Sequence, residues 1–488
     1  MTDHVFHRST RSAMPVVVGG RGIELVAADG RRFIDACGGA AVSCLGHGHP
    51  VVARAIARQA ETIAYAHTSF FTNEPAETLA DCLAAAAPAS LSRVYFVDNG
   101  SAAVETALKM ARQYQIERGA PERTRVISRR QSYHGNTLGA LAVSGNAGRR
   151  APYEPFLFET TRIAPCFEYR HAREGQTAEE YGRQAADALE AELLRVGPET
   201  VMAFIAETVV GATTGAVTPA PGYLRRIREI CDRHDVLLIL DEVMCGAGRT
   251  GSFLACEQHG VVPDIVTLAK GLAGGYQPIG AVLCSDKVYD AFSVGTGAFV
   301  NGHTYSAHPI ACAAALAVQD VIQDENLLER VRVAGARLRN RLVERFGRHR
   351  YVGDVRGCGL LMAIELVADR ATKAPFAPGL KVSARVKAQA FERGLLVYPG
   401  AGTVDGVRGD HVLLAPPYIV SDGEIDVIVE RLGAAVDAAT GGVASTDSGA
   451  AAGGDAGAGG GAASVGSTGA GASAGVGAGA GVAGAGGA

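Results

Sequence analysis

The sequence contains no tryptophan and, among its 46 basic residues, only six lysines. It has no apolar run that approaches the ~20 residues of a membrane-spanning helix, so no membrane partner is predicted. The net charge is −4, so the chain has no excess of positive charge, which argues against a nucleic-acid partner. The first residues lack the charged and apolar regions of a signal peptide. These absences predict a cytoplasmic protein.

The ten cysteines include no C-x-x-C pair. Several of them, such as Cys231 and Cys312, fall in apolar patterns, which is typical of reduced and buried thiols. His47 and His49 have no further ligand at the spacing of a metal site. We therefore predict no disulfide framework and no metal centre.

The chain has 488 residues, 48% of them hydrophobic, and can bury a sizeable core. Short apolar runs alternate with amphipathic helical patterns from about residue 93 onwards. This alternation predicts an α/β domain with a mostly parallel central sheet. The predicted strands of this sheet are 93–98, 125–128, 201–206, 236–240, 264–268 and 280–284.

Around residue 325 the pattern changes to a long charged helix followed by short strands, which predicts a smaller α+β domain. Residues 1–22 are expected to form a loose arm, and Asp29-Gly30 is a hairpin signal. From about residue 441 the composition collapses to small residues, which cannot bury enough apolar surface to fold. The predicted ranges are an N-terminal segment of the small domain (1–65), a large domain (66–324), the small domain (325–440) and a disordered tail (441–488).

Lys270 follows the buried strand 264–268 and precedes several glycines. The other five lysines lie in helical or loop patterns, where a solvated ammonium group is ordinary. A lysine at the end of a buried strand has two interpretations. It reaches water along its apolar stem, or burial lowers its pKa and prepares it to form an imine.

Asp241 ends the wholly apolar strand 236–240 and needs a cationic or hydrogen-bonding partner there, unless it only caps the next turn. Asn99, Gly100 and Ser101 follow another strand and open a helix. Free N–H groups, the helix dipole and a hydroxyl group together form a phosphate site. The alternative is that Ser101 is an ordinary N-cap.

Tyr133 and His134 follow a third strand, and Tyr133 offers a face for a flat ring, unless it is only a packed loop aromatic. Thr304 lies before a helix, in a stretch that offers a hydroxyl group and backbone donors. One cofactor satisfies all these features together, namely pyridoxal 5′-phosphate (PLP). Lys270 would form the imine, and Asp241 would pair with the ring nitrogen.

The order and chemistry of these motifs resemble the class III (ω-amino acid) aminotransferases of fold type I, over about residues 20–437. The motifs that carry the resemblance are Asp-Glu-Val at 241–243, Gly-Arg-Thr-Gly at 248–251, Thr-Leu-Ala-Lys-Gly at 267–271, His-Thr-Tyr-Ser at 303–306 and Val-Arg-Gly-Cys-Gly-Leu at 355–360.

The resemblance implies a role for each matching residue. Tyr133 and Val243 would cover the two ring faces, and Glu207 would lie near the ring hydroxyl. Asn99, Gly100 and Ser101 would hold the phosphate. Thr304 would reach across from a second subunit, which implies a homodimer or a dimer of dimers with shared sites. Arg356 would bind the carboxylate of the α-amino or α-keto acid.

The implied reaction is a ping-pong transfer of an amino group from an amine to an α-keto acid, through the Lys270 imine. Candidates for the amine pocket are Ser43, Cys44, Phe70 and Phe71. The sequence departs from the family at Thr208, where proline is frequent, at Met244, where several branches have glutamine, and at Ala307, where glycine is common. Met244 favours the pyruvate-using ω-transaminases over the ornithine, acetylornithine and 4-aminobutyrate branches.

Other PLP reactions remain open, because decarboxylation, racemisation and aminomutase chemistry use the same site. A diaminopelargonate-type or acetylornithine-type transaminase also remains open. A PLP-sensing regulator is disfavoured because no DNA-binding pattern is fused to the chain. The G-x-G-x-x-G match at 246–251 opens no long βαβ helix, which argues against a dinucleotide site.

Overall fold

The computed structural model describes residues 4–441. Residues 1–3 and 442–488 lie outside this range, and so does nearly all of the tail that the composition predicts to be disordered. The described chain forms three β-sheets with helices packed around them.

The strands of the three sheets are short, with two to seven residues each. They are β1 (Val17–Arg21), β2 (Glu24–Ala27), β3 (Arg32–Asp35), β4 (Arg93–Val97), β5 (Arg125–Arg129), β6 (Thr161–Ile163), β7 (Val201–Glu207), β8 (Leu237–Asp241), β9 (Ile265–Leu268), β10 (Gly280–Cys284), β11 (Val352–Cys358), β12 (Leu361–Leu366), β13 (Leu395–Leu396), β14 (Tyr398–Ala401) and β15 (Asp410–Leu414).

The helices range from single turns to 20 residues. They are α1 (Gly38–Ala41), α2 (Pro50–Thr62), α3 (Glu74–Ala86), α4 (Gly100–Glu117), α5 (Leu138–Val143), α6 (Ala147–Arg150), α7 (Glu168–His171), α8 (Ala178–Val196), α9 (Tyr223–Arg233), α10 (Asp286–Val294), α11 (Pro309–Asp324), α12 (Leu327–Phe346), α13 (Val382–Glu392) and α14 (Asp422–Thr440). Within residues 4–441, none of them is both long and apolar enough to cross a membrane.

The central sheet has seven strands in the order β4-β10-β9-β8-β7-β5-β6. Strands β5 to β9 run parallel to one another, and β10 is antiparallel to both β4 and β9. The prediction of an α/β fold with a mostly parallel sheet is therefore confirmed. All six predicted strands are present, and the edge strand β6 was not predicted.

The central strands β7, β8 and β9 are mainly apolar because both faces of the sheet are covered. Along β8, Leu238 and Leu240 pack into one core cluster, with α8, α9 and α11. Leu237 and Ile239 face the opposite side and pack with α4. Because both faces are packed against helices, most of the polar side chains of these strands lie where the strands end.

The first of the two smaller sheets, β1-β2-β3-β13, contains strands from both ends of the chain. In it β3 pairs in parallel with β13, through Ile34 and Leu395. The other has the order β11-β12-β15-β14. The division into ranges 1–65, 66–324 and 325–440 stays a prediction.

The expected loose arm of residues 1–22 is wrong in its second part, because Val17–Arg21 forms β1. This strand pairs antiparallel with β2. The β2–β3 hairpin around Asp29-Gly30 is as predicted. Two glycines in β1 hid the strand, since glycine has a low strand propensity.

The ten cysteines carry no disulfide. Eight are buried, and Cys82 and Cys358 are partly buried. Burial raises the pKa of thiols such as Cys231 and Cys312, in each case to about 12. These thiols are inert packing groups, as their apolar sequence context predicts.

Asp264 fixes the register of β9, the strand that precedes Lys270. Its Oδ2 accepts 2.7 Å and 2.8 Å hydrogen bonds from the N–H of Leu238 in β8 and from the Arg228 guanidinium of α9. Asp264 is buried. One carboxylate therefore ties a helix and two neighbouring strands together.

We expect Asp264→Ala to lower the free energy of unfolding by about 3–5 kcal/mol, because it removes the buried carboxylate partner of Arg228 and leaves the N–H of Leu238 without this acceptor. Asp232→Ala is the matched control, since Asp232 also pairs with Arg228 (2.7 Å) but has 65% of its side chain exposed. It should cost at most about 1 kcal/mol. Urea unfolding measures the free energy of unfolding of both variants. Equal losses would show that Asp264 does not hold α9, β8 and β9 together.

Candidate functional site

A cavity of about 690 Å³ lies where β4, β5, β7, β8 and β9 end. Parallel sheets bind ligands at this edge because the carboxyl ends of the strands leave side chains there without a neighbouring strand. The cavity brings together nine of the predicted residues. They are Asn99, Gly100, Ser101, Tyr133, His134, Glu207, Asp241, Val243 and Lys270.

Lys270 lies directly after β9, at the start of a short 3-10 turn, and its side chain is half-buried. Burial lowers the pKa of its amine below the usual value, while the Asp241 and Glu207 carboxylates act in the opposite direction. The φ angle of Lys270 is 48°, in the left-handed region that side chains rarely adopt. Such backbone strain is concentrated at functional sites.

Asp241 ends β8 and is buried. Its Oδ2 lies 2.8 Å from Nδ1 of His134, which donates its proton to the carboxylate. Its Oδ1 accepts hydrogen bonds from the N–H of Val243 (3.0 Å) and the hydroxyl group of Thr267 (3.3 Å). These donors satisfy the acceptor positions of a buried carboxylate.

Glu207 ends β7 and pairs in register with Asp241 across the two strands. Its carboxyl group accepts hydrogen bonds from the N–H groups of Tyr133 (2.9 Å) and Gly211 (3.0 Å). Burial is the main cause that raises the pKa of Glu207. Glu207 therefore fixes the loop that carries Tyr133.

The N-terminus of α4 opens into the same cavity. The Asn99 side chain caps this 18-residue helix by accepting a 2.9 Å hydrogen bond from the N–H of Ala102. The Ser101 hydroxyl group accepts from the N–H of Asn136 at 3.0 Å and can still donate its proton. The helix dipole and these donors favour an anion here.

Gly100 and Val243 are in close contact at the cavity wall. A Cβ atom at Gly100 would lie 2.8 Å from Cγ1 of Val243, so only glycine fits without displacing that side chain. Gly135 is similarly close to Ser101, with 2.7 Å from its ideal Cβ position to Oγ. The two glycines keep the helix terminus accessible between the surrounding side chains.

These residues fit the donor set that PLP requires. A buried carboxylate, an amine of lowered pKa and an anion-binding helix terminus share one cavity. Nε2 of His134 is also buried there and has no hydrogen-bond partner within residues 4–441. The cavity volume lies in the range of small-molecule sites.

Arg356 does not line this cavity, contrary to what the resemblance implies. It is buried, and its guanidinium donates to the carbonyl oxygens of Thr214 and Gly215 and to the carboxylates of Asp354 and Glu365. The physical reason is that Glu365 is fully buried and needs cationic partners. The contacts match an internal ion pair rather than an open carboxylate site.

Cys44 is also misplaced as a pocket residue. It is fully buried in the hydrophobic core, and its thiol donates to the carbonyl oxygen of Gly271 at 3.3 Å. Burial raises the pKa of this thiol to about 11. The residues just before Cys44 do line the cavity, through Gly39, Ala40 and Val42.

Phe70, Phe71 and Thr304 lie on the surface of the chain and outside the cavity. The two phenylalanines are 79% and 68% exposed. The Tyr65 hydroxyl group donates to the carbonyl oxygen of Thr304 at 2.9 Å, which joins the two surface loops. Within one chain these three residues therefore contact no part of the candidate site.

The cavity also contains residues that the sequence interpretation missed, including Arg8, Arg149 and Tyr398. Met244, which the sequence interpretation treated as a departure from the family pattern, lines the cavity as well. Arg149 lies in a short glycine- and arginine-containing stretch with no periodic signal. Tyr398 comes from the distant strand β14 and has no local sequence signal.

Thr208, one of the departures from the family pattern, has a structural use. Its hydroxyl group donates to the carboxyl group of Glu242 at 2.9 Å. Burial raises the pKa of Glu242 to about 7. Glu242 also accepts from the N–H groups of Ala255 and Cys256, so it is a structural carboxyl group next to Asp241.

The family model described as Aminotransferase class-III matches residues 5–436 of this chain. An uncharacterised aminotransferase of Schizosaccharomyces pombe is 48% identical over 431 residues, which cover 88% of this chain and 94% of that protein. The diaminobutyrate–2-oxoglutarate transaminase of Halomonas elongata is 39% identical over 432 residues, covering 87% and 90%. A Pseudomonas jessenii ω-transaminase, solved in complex with PMP, has a TM-score of 0.83 and 34% identity, covering 88% of this chain and 94% of that one.

We expect Arg356→Ala to lower the free energy of unfolding by about 3 kcal/mol, because it removes one cation from the buried Glu365. Arg408→Ala is the control, since Arg408 pairs with Asp405 at the surface and 58% of its side chain is exposed. Its stability should be almost unchanged. Unchanged stability of Arg356→Ala with a selective loss of keto-acid use would instead restore the carboxylate-binding role.

Proposed function

The chain belongs to the class-III aminotransferases, a PLP-dependent family, and we propose that it moves an amino group from an amine or ω-amino acid to an α-keto acid such as pyruvate. The observation that supports this most is the meeting of Lys270, Asp241 and the α4 N-terminus in one cavity. No separate feature of the described residues requires another chemistry.

The residues that would hold PLP are those of the cavity wall. Asn99, Gly100 and Ser101 would bind the phosphate, and Tyr133 and Val243 would enclose the ring. When bound, the cofactor supplies an electron-accepting ring that makes the Cα proton of an amine acidic. The side chains of this chain would position the cofactor and the substrate and would transfer the protons.

Lys270 is the group that would move the proton. An amine acts as a base only when it is neutral, and burial lowers the pKa of Lys270 so that a larger neutral fraction exists near pH 7. Its Nζ atom would accept the proton from the donor's Cα and deliver it to the neighbouring carbon. Because the side chain follows a buried strand, its position is fixed by the sheet.

Asp241 would keep the cofactor's ring nitrogen protonated. Its buried carboxylate accepts hydrogen bonds from three donors, including His134. A fixed negative charge in a site of low polarity stabilises a neighbouring cation more strongly than it would in water. His134 orients this carboxylate rather than touching the substrate.

The amino transfer would proceed in two half-reactions, in which the donor's carbonyl product leaves before the keto acid enters. The relatives differ in their named substrates, with 2-oxoglutarate in the Halomonas enzyme. We propose pyruvate as the acceptor here because Met244, which lines the cavity, replaces the glutamine of several other branches.

We further propose that the active unit is a homodimer located in the cytoplasm. The surface loops with Phe70, Phe71 and Thr304 carry large apolar side chains, and Tyr305 next to Thr304 is 59% exposed. The rings of Tyr65 and Tyr305 lie 6.1 Å apart, so the loops form one apolar patch. Such a patch suits a second copy, whose site Thr304 would complete.

The test is an assay of PLP-loaded protein with a panel of amines and ω-amino acids, and with pyruvate or 2-oxoglutarate as the acceptor. We expect formation of alanine from pyruvate together with the carbonyl product of the donor. Release of carbon dioxide, or racemisation without consumption of a keto acid, would instead identify a different PLP reaction.

In the same assay, Asp241→Asn should lower the turnover rate by about two to four orders of magnitude. The loss corresponds to about 3–5 kcal/mol for breaking a buried charge pair. The control measurements are the cofactor content and the melting temperature of the variant, which separate a chemical effect from unfolding. Near-normal turnover of a fully loaded variant would contradict the assigned role.

A further inference from the structure

Since Arg356 is engaged inside the protein, the carboxylate of the substrate needs another cation. We propose that Arg149 binds the carboxylate of the amino-acid or keto-acid substrate in the cavity that contains Lys270. This inference rests on the proposed transaminase function and names a specificity-determining residue for it.

Arg149 lies in the short helix α6. Its side chain lines the cavity and is exposed to it. The carbon Cζ of its guanidinium lies 4.5 Å from the centroid of the Tyr133 ring. The N–H of Arg149 donates to Oδ1 of Asn146 at 3.1 Å, which fixes the turn that presents the side chain.

The guanidinium of Arg149 makes no hydrogen bond or ion pair with any residue between 4 and 441. Its neighbour Arg150 is the opposite case. Arg150 is buried and donates to the carbonyl oxygens of Leu141, Ala142 and Ser144, and to the carboxylate of Glu154. Of two consecutive arginines, one is structural and the other is available to a ligand.

The carboxylates that line the cavity do not pair with Arg149, because each has other partners. Asp241 is held by His134, and Glu207 by two backbone N–H groups. Asp98 accepts from the side chain of Asn99 at 3.1 Å. An incoming carboxylate is therefore the natural partner for the guanidinium.

Contact with the Tyr133 face orients the guanidinium without using its N–H groups. A planar guanidinium held in this way presents two parallel donors, which match the two oxygens of a carboxylate. The charge of Arg149 also lowers the pKa of the Lys270 amine, so it acts on the reacting group. Arg8 lines the same cavity and adds a second positive charge.

The first test compares two acceptors of similar size and shape, the anionic pyruvate and the neutral pyruvamide, in separate half-reactions. We expect Arg149→Gln to lower kcat/KM for pyruvate by about 10- to 100-fold, the range for a charged hydrogen bond. The value for pyruvamide should change by less than about threefold, within the range of a surface substitution. Arg149→Lys, which keeps the charge but not the planar fork, should recover only part of the loss.

The matched control is Arg130→Gln. Arg130 is exposed and lies outside this cavity. Its substitution should leave both acceptors unaffected. Equal losses with pyruvate and pyruvamide for Arg149→Gln would show that Arg149 only positions Tyr133, and no loss with either acceptor would show that the carboxylate site lies elsewhere. Each of these two results would overturn the proposal.

A second test does not depend on turnover. Binding of glutarate, a non-reacting dicarboxylate, and of its neutral diamide is measured by spectroscopic titration of PLP-loaded protein. Arg149→Gln should weaken glutarate binding about 10-fold or more and leave the diamide unchanged. If the wild-type protein binds glutarate through Arg149 but transaminates no amine, the proposed reaction fails while the carboxylate site stands. Glutarate binding that is equal in variant and wild type would overturn the site.

Discussion

The buried charge of Asp241 is the constraint on which the rest of the site depends. A carboxylate at the end of an apolar strand is costly unless donors surround it, and here His134, Thr267 and the N–H of Val243 provide them. The same low polarity that makes this charge costly also strengthens its effect on any cation brought beside it. Lys270, whose pKa is lowered by the same burial, follows the neighbouring strand β9. One buried sheet edge therefore holds both groups.

The sheet explains why these groups meet. Strands β7, β8 and β9 are buried on both faces and pair in parallel register, so Glu207, Asp241 and Lys270 emerge at one edge. Asp264 holds that register from the opposite end of β9. The anion-binding terminus of α4 follows β4, which reaches the same edge. The paired strands therefore determine where Glu207, Asp241 and Lys270 lie relative to one another.

The sequence predicted those parts of the fold and site that local chemistry determines. Apolar runs buried on both faces identified all six strands, and Lys270 and Asp241 could be found because polar residues at the ends of such runs are unusual. Arg356 and Cys44 could not be placed, because their surroundings come from distant segments, namely Glu365 with the 214–215 loop and Gly271. Arg149 had no sequence signal. Its guanidinium can bind a ligand because no described residue pairs with it, and the sequence does not show which groups lie nearby. The strand β1 was missed because its glycines conceal the pairing with β2.

The central claim is that Lys270 is the lysine that carries the cofactor. Its most direct test is borohydride reduction of PLP-loaded protein, followed by peptide mapping. The account predicts a single pyridoxyl label, on the peptide that contains Lys270, even though five other lysines are present. A label on another lysine, or equal labelling of several exposed ones such as Lys287, would contradict it.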